Sequence, residues 1–194
     1  MAHFESASTV LEFECGQGKL AELVLQRETS KSLHWRAIDQ SPNMVDRFRQ
    51  RCVDRFGSER CSVELLKSGD PSEISLNSRQ SVDRFVSTFC LDLLSEEDIY
   101  KVLDLSQASL HPDRGLILLA GIAWGYRASL QTCVMTLIWE ILYKFNRKRV
   151  GGCRPQVLLP YLEARDFRIV ACQKTLPNGF PWMVWEVIAA RPPM

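Results

Sequence analysis

The sequence lacks any apolar run long enough to span a bilayer. Its longest stretches, Gly115 to Ala123 and Val134 to Leu142, are too short or are interrupted by Glu140. It also lacks a charge imbalance: a formal net charge of +1 gives no global field for nucleic acid or an anionic surface. The seven cysteines (Cys15, Cys52, Cys61, Cys90, Cys133, Cys153 and Cys172) are odd in number and show no C-x-x-C spacing. That pattern excludes a disulfide framework and a structural zinc site, and leaves reduced thiols as core residues. Histidine is scarce, with only His3, His34 and His111, and no His/Cys/Asp/Glu group has metal-ligand spacing, so no metal is expected. Residues Met1 to Ser8 contain no basic region followed by an apolar run, and nothing along the chain is repeated or low in complexity. These absences predict a soluble, cytoplasmic protein with one domain over residues 1–194 and no membrane partner. Nothing in the sequence sets its oligomeric state.

What is present is an alternation of strands and helices. Thr9 to Phe13 is a short apolar run ending at Cys15-Gly16-Gln17-Gly18, and Leu20 to Gln26 then carries Leu20, Leu23 and Val24 at helical spacing. Leu33 to Ile38 is a second strand closed by Asp39. Ser41-Pro42 opens the next helix, with serine placed to cap it and proline suited to its first position. Further strands are expected at Ser62 to Leu66, Asp83 to Phe89 and Leu116 to Gly121, with a helix from the Ser95 capping box between the last two. A long helix over Ser129 to Lys148 carries Leu130, Val134, Leu137, Ile141 and Phe145 in one stripe. A short helix over Arg154 to Arg165 follows. Phe167 to Thr175 and Trp182 to Ala190 then form an antiparallel hairpin at one sheet edge. The pattern predicts an α/β doubly wound fold: a seven-stranded, mostly parallel sheet with a C-terminal antiparallel hairpin and helices on both faces.

The chemistry concentrates at the first turn. A strand feeding a glycine-rich turn and a helix lets backbone approach a nucleotide closely, and an acid some twenty residues on can accept from two ribose hydroxyls. Asp39 is that acid. His34 and His111 fall at strand beginnings, whereas ligands bind outside strand carboxyl ends, which disfavours a histidine base.

The run Val10-Leu11-Glu12-Phe13-Glu14-Cys15-Gly16-Gln17-Gly18 resembles motif I of class I S-adenosylmethionine-dependent methyltransferases, and Ala37 to Met44 resembles their second motif. Gly69-Asp70, Asp83 to Leu94 and Pro112 to Gly115 are similar to the third-strand motif, the fourth-strand motif and the turn before strand five. The resemblance runs from about Thr9 to Gly121, with the terminal hairpin matching as well. It implies the strand order 3-2-1-4-5-7-6, S-adenosylmethionine as cofactor, and methyl transfer by in-line displacement. By position, it implies that Glu12 steadies the turn, Gly16 and Gly18 pass under the methionine part, Asp39 holds the ribose and Gln40 lies against the adenine. Asp70 would accept from the adenine amino group, Ser87 would offer its carbonyl to the methionine amine, and Asp92 would face the transfer site as the catalytic candidate.

Glu14 departs from the family pattern, standing where the first glycine of the turn is usual, so a positive φ there would be strained. Its carboxylate can attract a sulfonium and repel a carboxylate. Residues 122–165 are expected to cap the acceptor pocket, with Trp124, Tyr126 and Arg154 as acceptor-binding candidates. A small-molecule acceptor is the leading expectation. Two alternatives stay open: a catalytically degenerate binding protein, motivated by Glu14, and an RNA-modifying enzyme using the basic run Lys144, Arg147, Lys148, Arg149 and Arg154. That run also has a plainer reading, as cations complementing a helix C-terminus.

Overall fold

A computed structural model describes residues 3–27, 32–67, 74, 82–124, 130–146, 153–175 and 183–193, with backbone alone at 124, 131–133, 136 and 183. Its centre is a seven-stranded sheet in the order β3-β2-β1-β4-β5-β7-β6. The strands are β1 (Thr9–Phe13), β2 (His34–Asp39), β3 (Cys61–Leu65), β4 (Arg84–Thr88), β5 (Leu116–Trp124), β6 (Arg168–Thr175) and β7 (Met183–Arg191). The first five run parallel, whereas β7 is antiparallel to both β5 and β6. This is the order that the family resemblance implies and the terminal hairpin that the sequence predicts. A bulge interrupts the β6–β7 register between Ile169 and Ala171.

The helices are α1 (Lys19–Arg27), α2 (Pro42–Phe48), a π turn at Arg49–Val53 that leads into α3 (Asp54–Phe56), α4 (Glu96–Ser109), α5 (Leu130–Phe145) and α6 (Leu159–Glu163). Apolar side chains divide into two cores, one on each face of the sheet. Ala21, Val24, Phe48 and Cys52 bury against Trp35 and Ala37 on one face. Ile99, Val102, Leu103 and Leu162 bury against Phe85, Ile117 and Ile188 on the other. At ~25 cal/mol per Å² of apolar area, these two layers are the main stabilising term of the fold. The capping box of α4 forms as expected, with the Asp98 amide donating to Ser95 Oγ at 3.2 Å.

Two expectations are corrected here. The helix expected over Arg154 to Arg165 is reduced to Leu159–Glu163. Arg154 precedes Pro155, which disfavours helical backbone, and Gln156 N–H donates to Ile122 O at 2.9 Å instead. Ser41, expected to cap α2, makes no side-chain cap bond. Its amide donates to Asp39 Oδ1 at 2.8 Å, and its carbonyl accepts from the Met44 and Val45 amides at 3.0 Å. The expected ends of the long helix at Arg147 to Lys148 lie outside the described residues. Among the described residues, no helix is long and apolar enough to cross a membrane, and no group of three or more His, Cys, Asp or Glu could hold a metal ion.

Candidate functional site at the carboxyl ends of the strands

The parallel strands deliver their carboxyl ends to one side of the sheet, where a cavity of about 510 Å³ is lined by Glu12, Glu14, Gly16, Leu20, Met44 and Phe89, among others. Its floor is the turn after β1. Glu14 has φ 55°, Gly16 φ 54° and Gly18 φ 75°. Left-handed backbone costs an L-residue with a side chain roughly 1–2 kcal/mol, so Glu14 is strained where a glycine would be relaxed. Phe89, which ends the turn out of β4 and lines the same cavity, is also left-handed at φ 54°. Two strained side-chain-bearing residues thus face one cavity, a placement typical of sites whose surroundings over-determine the backbone.

The two glycines are not equivalent. A Cβ added at Gly16 meets nothing within 4 Å, so this backbone lies open as a cradle. A Cβ at Gly18 would sit 2.7 Å from Phe48 Cδ2 and 2.9 Å from Cys52 Sγ. Gly18 therefore serves the packing of the turn against α2 and the π turn. Asp39, almost fully buried, locks the turn from the side: Oδ2 accepts from the Gly16 amide at 2.8 Å while Oδ1 accepts from Ser41. Each carboxylate oxygen keeps one further lone pair, enough for two hydroxyl donors.

Three acids, Glu12, Glu14 and Asp39, converge here, and Lys19 lines the same cavity. Glu12 is buried and accepts from Trp35 Nε1 at 2.9 Å. Burial pushes its carboxyl up to about 8, against the lowering effect of the Trp35 bond. Glu14 reaches across to the backbone and side chain of Gln40. Burial, and then the neighbouring Asp39, push it up to about 7. Gln40 is thereby tied to Glu14, next to the acid expected to hold a ribose.

Beyond β4 the chain makes a short 3-10 turn, Leu91–Leu93, that carries Asp92 inward. The side chain is 3% exposed, its Oδ1 has no hydrogen-bond partner, and burial raises its pKa. The cover comes from a distant segment: Arg154 N–H donates to the Asp92 carbonyl at 3.0 Å, and Cys153 lies close enough to feel its charge. The Arg154 guanidinium lies over the Tyr143 ring at 5.9 Å. With the Gln156 amide oriented to accept, it also donates to Gln156 at 2.9 and 3.1 Å. Trp139 Nε1 donates to Cys153 O at 3.1 Å, fastening α5 to the same segment. Buried Cys90 joins the two halves of the site: burial raises its pKa, and so do the charges of Glu14, Asp92 and Asp39 around it.

Of the residues singled out in the sequence, Glu12, Glu14 and Gly16 line the cavity. Asp39 and Gln40 are joined to it through Gly16 and Glu14, Gly18 packs against Phe48 and Cys52, and the Arg154 amide meets the Asp92 carbonyl beyond β4. The Ser87 side chain is buried at the end of β4, opposite Phe13 in the register. Asp70, Tyr126, Arg147, Lys148 and Arg149 lie outside the described residues, as does the Trp124 side chain. Sequence reasoning missed Phe89 and Met44 as cavity walls and Gln156 as the partner of Arg154. Phe89 lies within the fourth-strand motif and directly follows β4, the signal that could have found it. A second open depression between α1 and the π turn lies on the outer surface, where Arg51 and Arg55 are already paired with Glu22.

A family model described as a methyltransferase domain matches residues 10–113, more than half of the chain. No curated protein matches it in sequence. Solved structures do resemble it. A mitomycin 7-O-methyltransferase has a TM-score of 0.68 at 17% identity, over 97% of this chain and 50% of its own. Geranyl diphosphate C-methyltransferase from Streptomyces coelicolor A3(2), in complex with Mg2+, geranyl diphosphate and S-adenosyl-L-homocysteine, has 0.67 at 12%, over 100% and 75%. Magnesium protoporphyrin IX methyltransferase from Synechocystis PCC 6803, with bound SAH, has 0.65 at 15%, over 94% and 73%. The chain thus spans half the length of the first and about three quarters of the other two. At these identities the likeness concerns the fold, and the family rests on the match over the glycine turn, the strand-terminal acid and the β4 turn: the chain belongs to the class I methyltransferase-domain family.

Proposed function

We propose that the chain is an S-adenosylmethionine-dependent methyltransferase acting on a small-molecule acceptor. The observation that carries this reading is the open cradle at Gly16, flanked by Asp39 and enclosed in a cavity of about 510 Å³. That volume falls in the range of ~300–1,000 Å³ usual for small-molecule sites. Gly16 would let the cofactor approach the backbone, Asp39 would accept from the ribose with its remaining lone pairs, and Gln40 and Met44 would flank the base. Ser87 would present its carbonyl to the amine, and Asp70 would serve the adenine. When bound, the cofactor supplies a methyl group already activated by its sulfonium, so the protein's contribution is alignment and exclusion of water. Asp92, buried beside Arg154, is the group placed to orient or deprotonate an acceptor. Residues 122–165, with Trp124 and Tyr126, would form the cap on that side. The small-molecule substrates named for geranyl diphosphate and magnesium protoporphyrin methyltransferases support this acceptor class.

One observation favours a second reading. Glu14 places a carboxylate, at left-handed φ, on the floor of the cavity, which suits a protein that has kept the fold and lost turnover. Titration calorimetry with S-adenosylmethionine and S-adenosylhomocysteine, on the wild type and on Gly16→Ala, tests the assignment. Binding that Gly16→Ala weakens by roughly tenfold or more, in a protein that stays folded, supports it. A folded wild type that binds neither ligand overturns it. Binding without turnover against an acceptor panel would favour the second reading.

A further inference from the structure

The apolar stripe of α5 faces outward. Leu130 is 84% exposed, Phe145 80% and Leu137 61%, and Val134, Ile138 and Ile141 are exposed as well. At 3.6 residues per turn these six fall within an arc of ~100° on one side of the helix. Met135, Trp139, Leu142 and Tyr143 occupy the opposite side, half-buried against the rest of the protein. The helix is therefore apolar on both sides, and its packed side does not account for the outer one.

The six side chains expose on the order of 600 Å² of apolar surface in one strip, at the upper end of the ~300–600 Å² found for the largest patch on a typical monomer. Two such strips pressed together would remove ~1,200 Å² from water, the lower bound for a specific interface. The spacing identifies the occupant. A two-fold interface requires a surface complementary to itself. The stripe is symmetric about the point midway between Leu137 and Ile138: Leu130 mirrors Phe145, Val134 mirrors Ile141, and Leu137 mirrors Ile138. Turned antiparallel against its own copy, the helix meets an apolar residue with an apolar residue at each of its six stripe positions. A long residue faces a long one at both ends and a β-branched residue faces another between them. By position on the helix, none of the polar residues falls within that arc: Glu140 and Lys144 lie off one edge and Gln131 off the other.

We infer that the chain forms a two-fold homodimer through antiparallel pairing of α5, with Val134 of one copy against Ile141 of the other. Sedimentation velocity over a concentration series tests this on the wild type, Val134→Lys, Ile141→Glu and the double variant. The wild type sediments as a dimer, and each single variant weakens association about a hundredfold or more by burying an unpaired charge. Each substitution is at an exposed position, and circular dichroism checks that the variants keep the fold. In the double variant the antiparallel register sets the introduced lysine of each copy against the introduced glutamate of the other, so the dimer returns. A parallel register would set lysine against lysine and leave it monomeric. A monomeric wild type overturns the inference, and so does a double variant that fails to recover. A wild type that stays monomeric and co-sediments with phosphatidylcholine–phosphatidylglycerol vesicles would assign the stripe to a lipid surface instead.

Discussion

Replacing Asp39 separates holding the turn from holding a ligand. Its two oxygens accept from the amides of Gly16 and Ser41, both at 2.8 Å, and the side chain is 3% exposed. A hydrogen bond to a charged group contributes ~1.5–3 kcal/mol, and a buried amide left without a partner loses its desolvation compensation. Asp39→Ala strands both amides, although water entering the vacated space recovers part of the loss. The expected cost is therefore roughly 3–5 kcal/mol. For a chain of this length a kilocalorie moves the melting point by ~2–4 °C, so thermal unfolding by circular dichroism should fall by on the order of 10 °C. Asp39→Asn keeps one acceptor oxygen and loses the charge, and should cost about half as much. If Asp39→Ala melts within ~2 °C of the wild type, the turn does not depend on this carboxylate and the reasoning fails. It follows that weaker ligand binding by Asp39→Ala alone says little about ribose recognition, and Asp39→Asn is the better probe.

Other consequences are as direct. The Glu14 carboxyl titrates near 7, so it is mostly neutral at pH 6 and mostly charged at pH 8. Calorimetry should find the preference for cationic S-adenosylmethionine over neutral S-adenosylhomocysteine growing across that interval, and Glu14→Gln should hold the ratio constant. An unchanged slope in the variant would remove Glu14 from the ligand's surroundings. The folded-state value for Glu12, raised from 4.5 to about 8 chiefly by burial, means that its stabilising contribution is full below pH 4.5 and lost as the pH rises through about 8. Between pH 5 and pH 8, urea unfolding should show a loss of stability that is smaller in Glu12→Gln than in the wild type by on the order of 3–5 kcal/mol, Glu14 contributing to what remains. Equal losses in both proteins would contradict the burial argument. Finally, Gly18→Ala should destabilise by ~3 kcal/mol through its clash with Phe48 and Cys52, whereas Gly16→Ala should cost only its backbone strain of ~1 kcal/mol. Equal melting points for the two variants would contradict the packing role of Gly18.

The sheet was legible because its signals are local. Thr9 to Phe13 and Leu116 to Gly121 are apolar runs bounded by turn residues, and their alternation with helices leaves few topologies. The glycine turn and Asp39 were legible as neighbours because both lie at strand ends, and the Gly16 amide does donate to Asp39. What stayed hidden depends on partners far away in sequence. Ser41 makes no side-chain cap bond to α2, and its amide donates to Asp39, whose carboxylate also reaches the turn after β1; residue preference at the N-cap does not reveal this. The sequence around Asp92 does not show that it is buried, since the segment that returns over it comes from some sixty residues downstream. The α5 stripe was visible as a stripe, but periodicity records that one side is apolar and not which side the domain covers.

The bulge between Ile169 and Ala171 bears on how this protein keeps company. β6 is an outermost strand, and an outer strand offers a row of free backbone groups onto which a foreign strand can add. The extra residue bends that row out of step, while Arg168 places a cation along it. A chain approaching this border finds neither a straight template nor a neutral one, and continuous sheet growth into fibres is discouraged at the side where the antiparallel hairpin would otherwise invite it.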